Sequence, residues 1–203
     1  MTAPLIGLIG KKRTGKDTFA ETLTERHGYA RIALADPLRE ALYRQNPIVG
    51  TFPLLDNGIT RVREWRVQDV IDSIGWEKAK DYCPEIRIQL QRLGTEGIRY
   101  IDDRFWIKAA FAKIDALREA ETPVVVTDVR YPNEADAIKA AGGYLVRIVR
   151  DLPDSGDTHA SELALDDYRE DLMIGNNGSR ADLAFLAYAV GRDLRYIYEA
   201  RNA

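Results

Sequence analysis

The chain has 203 residues, 45% of them hydrophobic and 30% charged, enough for one compact domain that buries about 70% of its unfolded surface. A net charge of −3 excludes the broad basic field that holds a nucleic-acid polymer, and a single cysteine, Cys83, excludes an intramolecular disulfide and a thiolate metal cluster. No apolar run approaches membrane-spanning length, and the N-terminus is apolar before it is basic, so a soluble cytoplasmic protein with no membrane partner is expected.

Strands and helices alternate along the sequence. The apolar run Leu5-Ile6-Gly7-Leu8-Ile9 predicts a first strand at about residues 4–10, followed by a helix over 16–27 and a short strand near 29–34. Asp36-Pro37 opens another helix, with proline in its first turn. Pro47, Gly50, Pro53, Asn57 and Gly58 mark residues 46–60 as a loop. Val67, Val70, Ile71 and Ile74 fall at helical spacing, as do Ile86, Leu90 and Leu93, and again Ile107, Ala110, Phe111, Ile114 and Leu117. Pro123-Val124-Val125-Val126-Thr127 is the β-branched run of a parallel strand covered on both faces. A helix from Pro132 to Ala141 is stopped by Gly142-Gly143, further strands are expected at 144–149 and 171–174, and a last helix spans about 179–198. This order predicts a three-layer α/β domain around a parallel sheet with right-handed crossovers. Ligands of such sheets sit beyond the carboxyl ends of the strands, so residues 10–18, 35–39 and 128–134 are expected at one cleft.

The most informative segment is Gly10-Lys11-Lys12-Arg13-Thr14-Gly15-Lys16-Asp17-Thr18. Strand, glycine-bounded loop, lysine and helix form a phosphate-binding P-loop, in which backbone N–H groups and the helix N-terminus cradle an anion. Lys16 would reach the β- and γ-phosphates of a nucleoside triphosphate. Asp17 stands where Ser or Thr is usual, with Thr18 one place later. Asp17 and Asp128, the latter ending the Val124–Val126 strand, are candidate oxygens for Mg²⁺ or its water shell, although Asp17 could equally complement the helix N-terminus and Asp128 could pair with Arg130. Transfer between two anionic substrates needs cations, and Arg39, Arg61, Arg63, Arg66 and Arg130 are the candidates; a solvated helix face is the alternative for residues 61–66. Trp106 suits either the core or stacking on a base. His27 reads as a partner of a helix C-terminus. His159 lies on a polar connection that could close as a lid.

Together, Lys12-Arg13-Thr14-Gly15-Lys16-Asp17-Thr18, Leu34-Ala35-Asp36-Pro37-Leu38-Arg39, Arg63-Glu64, Gln91-Arg92-Leu93-Gly94-Thr95, Asp103-Arg104-Phe105-Trp106, Thr127-Asp128-Val129-Arg130, Asp157-Thr158-His159 and Asn176-Asn177-Gly178-Ser179 resemble the tailed-phage deoxynucleoside monophosphate kinases, a branch of the P-loop nucleoside monophosphate kinases. The resemblance implies a P-loop NMP-kinase-like fold: a core of residues 1–45 and 104–203, a helical acceptor-binding insertion at about 46–103 and a lid at about 150–168. It implies phosphorylation of deoxynucleoside monophosphates (dNMPs) by ATP with Mg²⁺ and without a covalent intermediate. Lys16, Arg63, Asp128 and Arg130 would carry the chemistry. Arg13, Thr14, Gly15, Lys16, Asp17 and Thr18 would hold the ATP phosphates, and Asn176, Asn177 and Gly178 would border the adenine. Lys12, Arg39, Arg63, Gln91, Gly94, Thr95, Trp106, Arg130 and Glu134 would line the monophosphate side. Arg147 and Arg150 are the cations nearest the lid. Small nucleotides are the implied partners, with a homodimer compatible and the host cytoplasm the location of a phage-encoded chain. Two other readings stay open: a phosphomevalonate kinase of the animal type, which shares the Gly-Lys-Asp loop, and a P-loop GTPase or ATP-driven switch, with the missing guanine motif counting against the GTPase.

Overall fold

Alternation of apolar side chains along the strands sets the layers of this protein. The computed structural model describes residues 3–56, 59–151 and 164–202. In chain order its elements begin β1 (Leu5–Ile9), α1 (Lys16–His27), β2 (Ala30–Ile32), α2 (Asp36–Gln45), β3 (Ile48–Asp56), β4 (Ile59–Arg66), α3 (Val67–Tyr82) and α4 (Pro84–Gln91). A π-helical segment, Arg92–Ile98, and the single turn α5 (Arg99–Ile101) lead to α6 (Phe105–Glu119), β5 (Val124–Val126), α7 (Pro132–Ala140), β6 (Tyr144–Val149), β7 (Leu172–Gly175) and α8 (Arg180–Asn202). They divide into two compact units, one of Met1–Leu34 with Ile107–Ala203 and one of Ala35–Trp106.

The first unit holds a five-stranded, wholly parallel sheet in the order β2-β5-β1-β6-β7. Its strands point successive side chains to opposite faces. Leu5 and Ile9 of β1, Val124 and Val126 of β5 and Leu145 of β6 pack with Ala110 and Ile114 of α6 and Ala135 and Ile138 of α7. Ile6 and Leu8, Val125, and Val146 and Ile148 pack on the other face with Phe19, Ala20 and Leu23 of α1 and Leu183 and Ala187 of α8. The result is helix, sheet, helix, the expected three-layer α/β arrangement. Arg118 closes one end of α6: 6% exposed, it donates from Nε to the Ala3 carbonyl at 2.6 Å and from Nη1 to the Ala141 carbonyl at 3.0 Å.

The second unit corrects the expected loop at 46–60. Residues 48–56 and 59–66 are the antiparallel ribbon β3–β4, so the segment 46–103 is not wholly helical. Glycine and proline mark loops in a core strand, but a two-stranded ribbon has two outer edges. Pro53 needs no partner for the N–H it lacks, and Gly50 sits where the register shifts. Arg61, Arg63 and Trp65 consequently lie on one face of a strand at period two, not on a helix face. Leu42 of α2, Val49 of β3, and Val67, Val70, Ile71, Ala79 and Ile86 form this unit's core. The remaining departures are small: β7 begins one residue later than expected, and α8 runs on to Asn202.

Replacing Arg118 with Met should cost about 2–4 kcal/mol, because one buried and one partly buried carbonyl lose charge-assisted donors. Urea unfolding measures this; a loss under about 0.5 kcal/mol would show that the clamp contributes nothing.

Candidate functional site

The phosphate loop begins where β1 emerges from the core. Arg13 (φ 66°) and Gly15 (φ 106°) take left-handed backbone, which turns the chain tightly into α1. Thr14 is buried, and its hydroxyl donates to the Lys11 carbonyl at 2.9 Å. Lys16 folds back over the loop, its ammonium donating to the carbonyls of Gly10 at 2.5 Å and Lys11 at 2.8 Å. Among the described residues no side chain caps α1, a 12-residue helix whose first N–H groups suit an anionic acceptor. Lys12 and Arg13 are exposed beside them, and Thr18 is half-buried.

The neighbouring strand ends hold this edge in place. Asp128 accepts from the Leu34 amide at 2.6 Å through Oδ1, which ties the turn after β5 to the residues after β2. Glu134, only 7% exposed, accepts the amides of Arg130 at 2.8 Å and Tyr131 at 3.1 Å through Oε2 as the third residue of α7. Its carboxylate therefore sets the backbone from which the exposed Arg130 extends. Asn176, following β7 and 6% exposed, donates its amide Nδ2 to the Thr14 carbonyl at 2.8 Å. Asn177 receives the Asp151 amide at 2.8 Å and donates to the Asp151 carboxylate at 2.6 Å. Ser179 caps α8: its amide and hydroxyl both donate to Asp182 at 2.8 Å and hold that carboxyl below its usual range. Gly178 lies against Asp182, with no space for a Cβ.

Several expected residues have other company. The Asp17 carboxylate is turned to Arg31 of β2, away from a purely phosphate-facing role. Arg147, expected as a cation near the lid, instead binds Glu170 at 2.8 Å and the carbonyls of Leu165 and Tyr168 at 2.8 and 2.6 Å. It is a half-buried anchor of the chain before β7. Residues 152–163, with His159 and the Asp157-Thr158-His159 motif, lie outside the described residues, as does most of the expected lid. His27 lies at the end of α1, its Nε2 2.9 Å from the Tyr188 carbonyl.

In the second unit, Arg39 of α2 pairs with Glu77 at 3.2 Å and lies 6.0 Å from the Trp76 ring. Arg63 is exposed on β4 opposite Phe52. Gln91 ends α4, and Gly94 and Thr95 lie on the π-helical segment, a local widening that recurs at binding sites. Trp106 is 9% exposed and donates from Nε1 to the Gly94 carbonyl at 3.2 Å. Its ring belongs to the core, and it orients the Gly94 segment. A Cβ at Gly94 would meet Leu38 Cδ2 at 2.6 Å, so a larger residue here would require the Leu38 side chain to move. Among the described residues no cluster of three or more His, Cys, Asp or Glu side chains could hold a metal unaided.

Sequence reasoning selected Asn176 and Glu134 but not their work on the backbone, and it missed Arg31. The spacing Ser179-x-x-Asp182 carried a readable capping signal; nothing in sequence marked Asn176 as a partner of a carbonyl 162 residues away.

Residues 4–48 and 43–185 match the family model described as deoxynucleotide monophosphate kinase. A protein of Acanthamoeba polyphaga mimivirus, provisionally named a deoxynucleotide monophosphate kinase, is 33% identical over 179 residues, covering 85% of this chain and 88% of that one. The deoxynucleotide monophosphate kinase of Enterobacteria phage T4 is 26% identical over 234 residues, covering 88% and 95%. Among solved structures, dephospho-CoA kinase from Campylobacter jejuni shares the fold with a TM-score of 0.54 at 12% identity, covering 94% of this chain and 96% of that one.

The Arg147–Glu170 pair gives a pH prediction. Arg147 holds the Glu170 carboxyl below its ordinary 4.5, so the pair stabilises the fold fully above that value and is lost as pH falls through the lower, folded one. Glu170→Gln should be less stable than the native chain near neutrality. The two urea midpoints should converge as pH drops from about 5 toward 3; parallel curves would contradict the assignment.

Proposed function

The chain belongs to the deoxynucleotide monophosphate kinase family, and on that premise we propose that it transfers the γ-phosphoryl group of ATP to a deoxynucleoside monophosphate, yielding ADP and the diphosphate. The observation that carries this is the Lys16 ammonium folded over a left-handed loop at an uncapped helix N-terminus. The geometry suits a polyphosphate tail, whose oxygens would take the place of the Gly10 and Lys11 carbonyls on Lys16 and meet the first amides of α1.

The donor set also suits Mg²⁺. Asp128 and Thr18 offer hard oxygens, with Asp128 oriented by the Leu34 amide, whereas Asp17 reaches the ion or its water shell only by leaving Arg31. Magnesium, when bound, neutralises charge on the transferring phosphoryl group. The chain's own residues position and screen. Lys12 and Arg130 of the first unit would screen charge on the phosphates of the donor, and Arg39 and Arg63 of the second would do so for the phosphate of the acceptor. A phosphate oxygen of the acceptor attacks phosphorus in line, and being an anion already it needs no strong general base. Gln91, Gly94 and Thr95 would line the acceptor, with Trp106 fixing Gly94 from within the core. The family match favours a nucleotide acceptor over phosphomevalonate and a kinase over a hydrolytic switch.

Lys16→Ala should lower kcat/KM for every dNMP by at least about a hundredfold, since it removes a charge donor acting on the transferred group; full turnover would refute its role. Arg63→Ala should raise the acceptor KM roughly tenfold while leaving the ATP KM near its native value. Steady-state ADP release with each common dNMP, and with phosphomevalonate, tests both and the acceptor class. Turnover of phosphomevalonate alone would overturn the proposal.

A further inference from the structure

The structure assigns Asn176 a task other than bordering a base: we propose that it is the residue that positions the phosphate loop. Its amide nitrogen donates to the Thr14 carbonyl at 2.8 Å in buried surroundings. A carbonyl fixed in this way fixes the peptide plane between Thr14 and Gly15, and with it the direction of the N–H that follows. That N–H belongs to Gly15, the last residue before Lys16 and the first turn of α1.

Two further observations show that the contact is built in. A Cβ at Gly15 would stand 2.5 Å from Asn176 Nδ2 and 2.7 Å from Leu183 Cδ2, so the loop has glycine where the amide enters. Asn176 is itself tethered: its own N–H donates to the Val149 carbonyl at 2.7 Å, and the next residue, Asn177, makes both of its bonds to Asp151. The turn after β7 is thereby locked to the end of β6, and one amide reaches across from it to the loop between β1 and α1. Asn176 lies behind the loop, on the Thr14 carbonyl, and acts on a bound anion only through the loop's shape.

The inference rests on the phosphate-loop part of the proposed function and is independent of which acceptor is used. Its test is the affinity of the full chain for inorganic tripolyphosphate, which has the charges of the donor's tail and no base. Asn176→Ala removes the donor, and Asn176→Asp keeps the shape while setting a carboxylate against the carbonyl. The aspartate variant carries the test should the alanine variant fail to fold. Both should weaken tripolyphosphate and ATP by the same factor, about tenfold for one lost buried hydrogen bond, with dNMP affinity unchanged. Weaker ATP with native tripolyphosphate affinity would overturn the proposal in favour of a base contact. A lowered melting temperature with both affinities native would overturn it in favour of a purely structural role. If the unaltered chain failed to bind tripolyphosphate, the phosphate-loop assignment would fall too; binding without phosphorylation of any dNMP would sink the proposed reaction alone.

Discussion

A strand covered on both faces meets solvent only at its ends, and β1 is such a strand: all five of its residues are buried, Leu5 and Ile9 under one helical layer and Ile6 and Leu8 under the other. Each aliphatic side chain so covered contributes about 1.5–3 kcal/mol. Sliding β1 by one residue would exchange its two faces, so the place where the chain leaves the sheet is set by packing before any loop residue acts. Because β5, β6 and β7 run parallel to β1, the segments beginning at Thr127, Arg150 and Asn176 leave from the same edge as Gly10. The grouping of functional segments in this unit follows from strand direction.

What is local at that edge is the use of side chains to hold main chain. Asp128 receives Leu34, Glu134 receives Arg130 and Tyr131, and Asp182 receives Ser179. Each carboxylate is met by one or two N–H dipoles. Lys12, Arg13 and Arg130 are exposed at that same edge of a chain whose net charge is −3. The helix start of α1 adds to the same sign.

The core of the first unit was legible because its signals are redundant. The runs Leu5–Ile9 and Val124–Val126 are apolar at every position, and the helix from Lys16 to His27 has glycine on both sides. The β3–β4 ribbon was not legible by the same rules: Pro53 and Gly50 lose their meaning as breakers where a strand has an open edge, and the period-two pattern of Arg61, Arg63 and Trp65 is short and polar. Motif spacing picks out the loop residues of the candidate site, but it does not reveal the contacts that they make. Asp17 with Arg31, Arg147 with Glu170 and Asn176 with Thr14 are contacts between distant parts of the chain, set by strand order and carrying no local signature.

The Lys16 ammonium, already engaged by the Gly10 and Lys11 carbonyls, makes occupancy of the loop an exchange and not a simple capture. An incoming ligand must displace two neutral oxygens from a cation, and its net gain is the difference between the two sets of bonds. A chloride or a lone carboxylate offers little over that internal solvation, whereas a chain of phosphates presents several anionic oxygens together. Charge density would then be the property by which such a loop selects among anions.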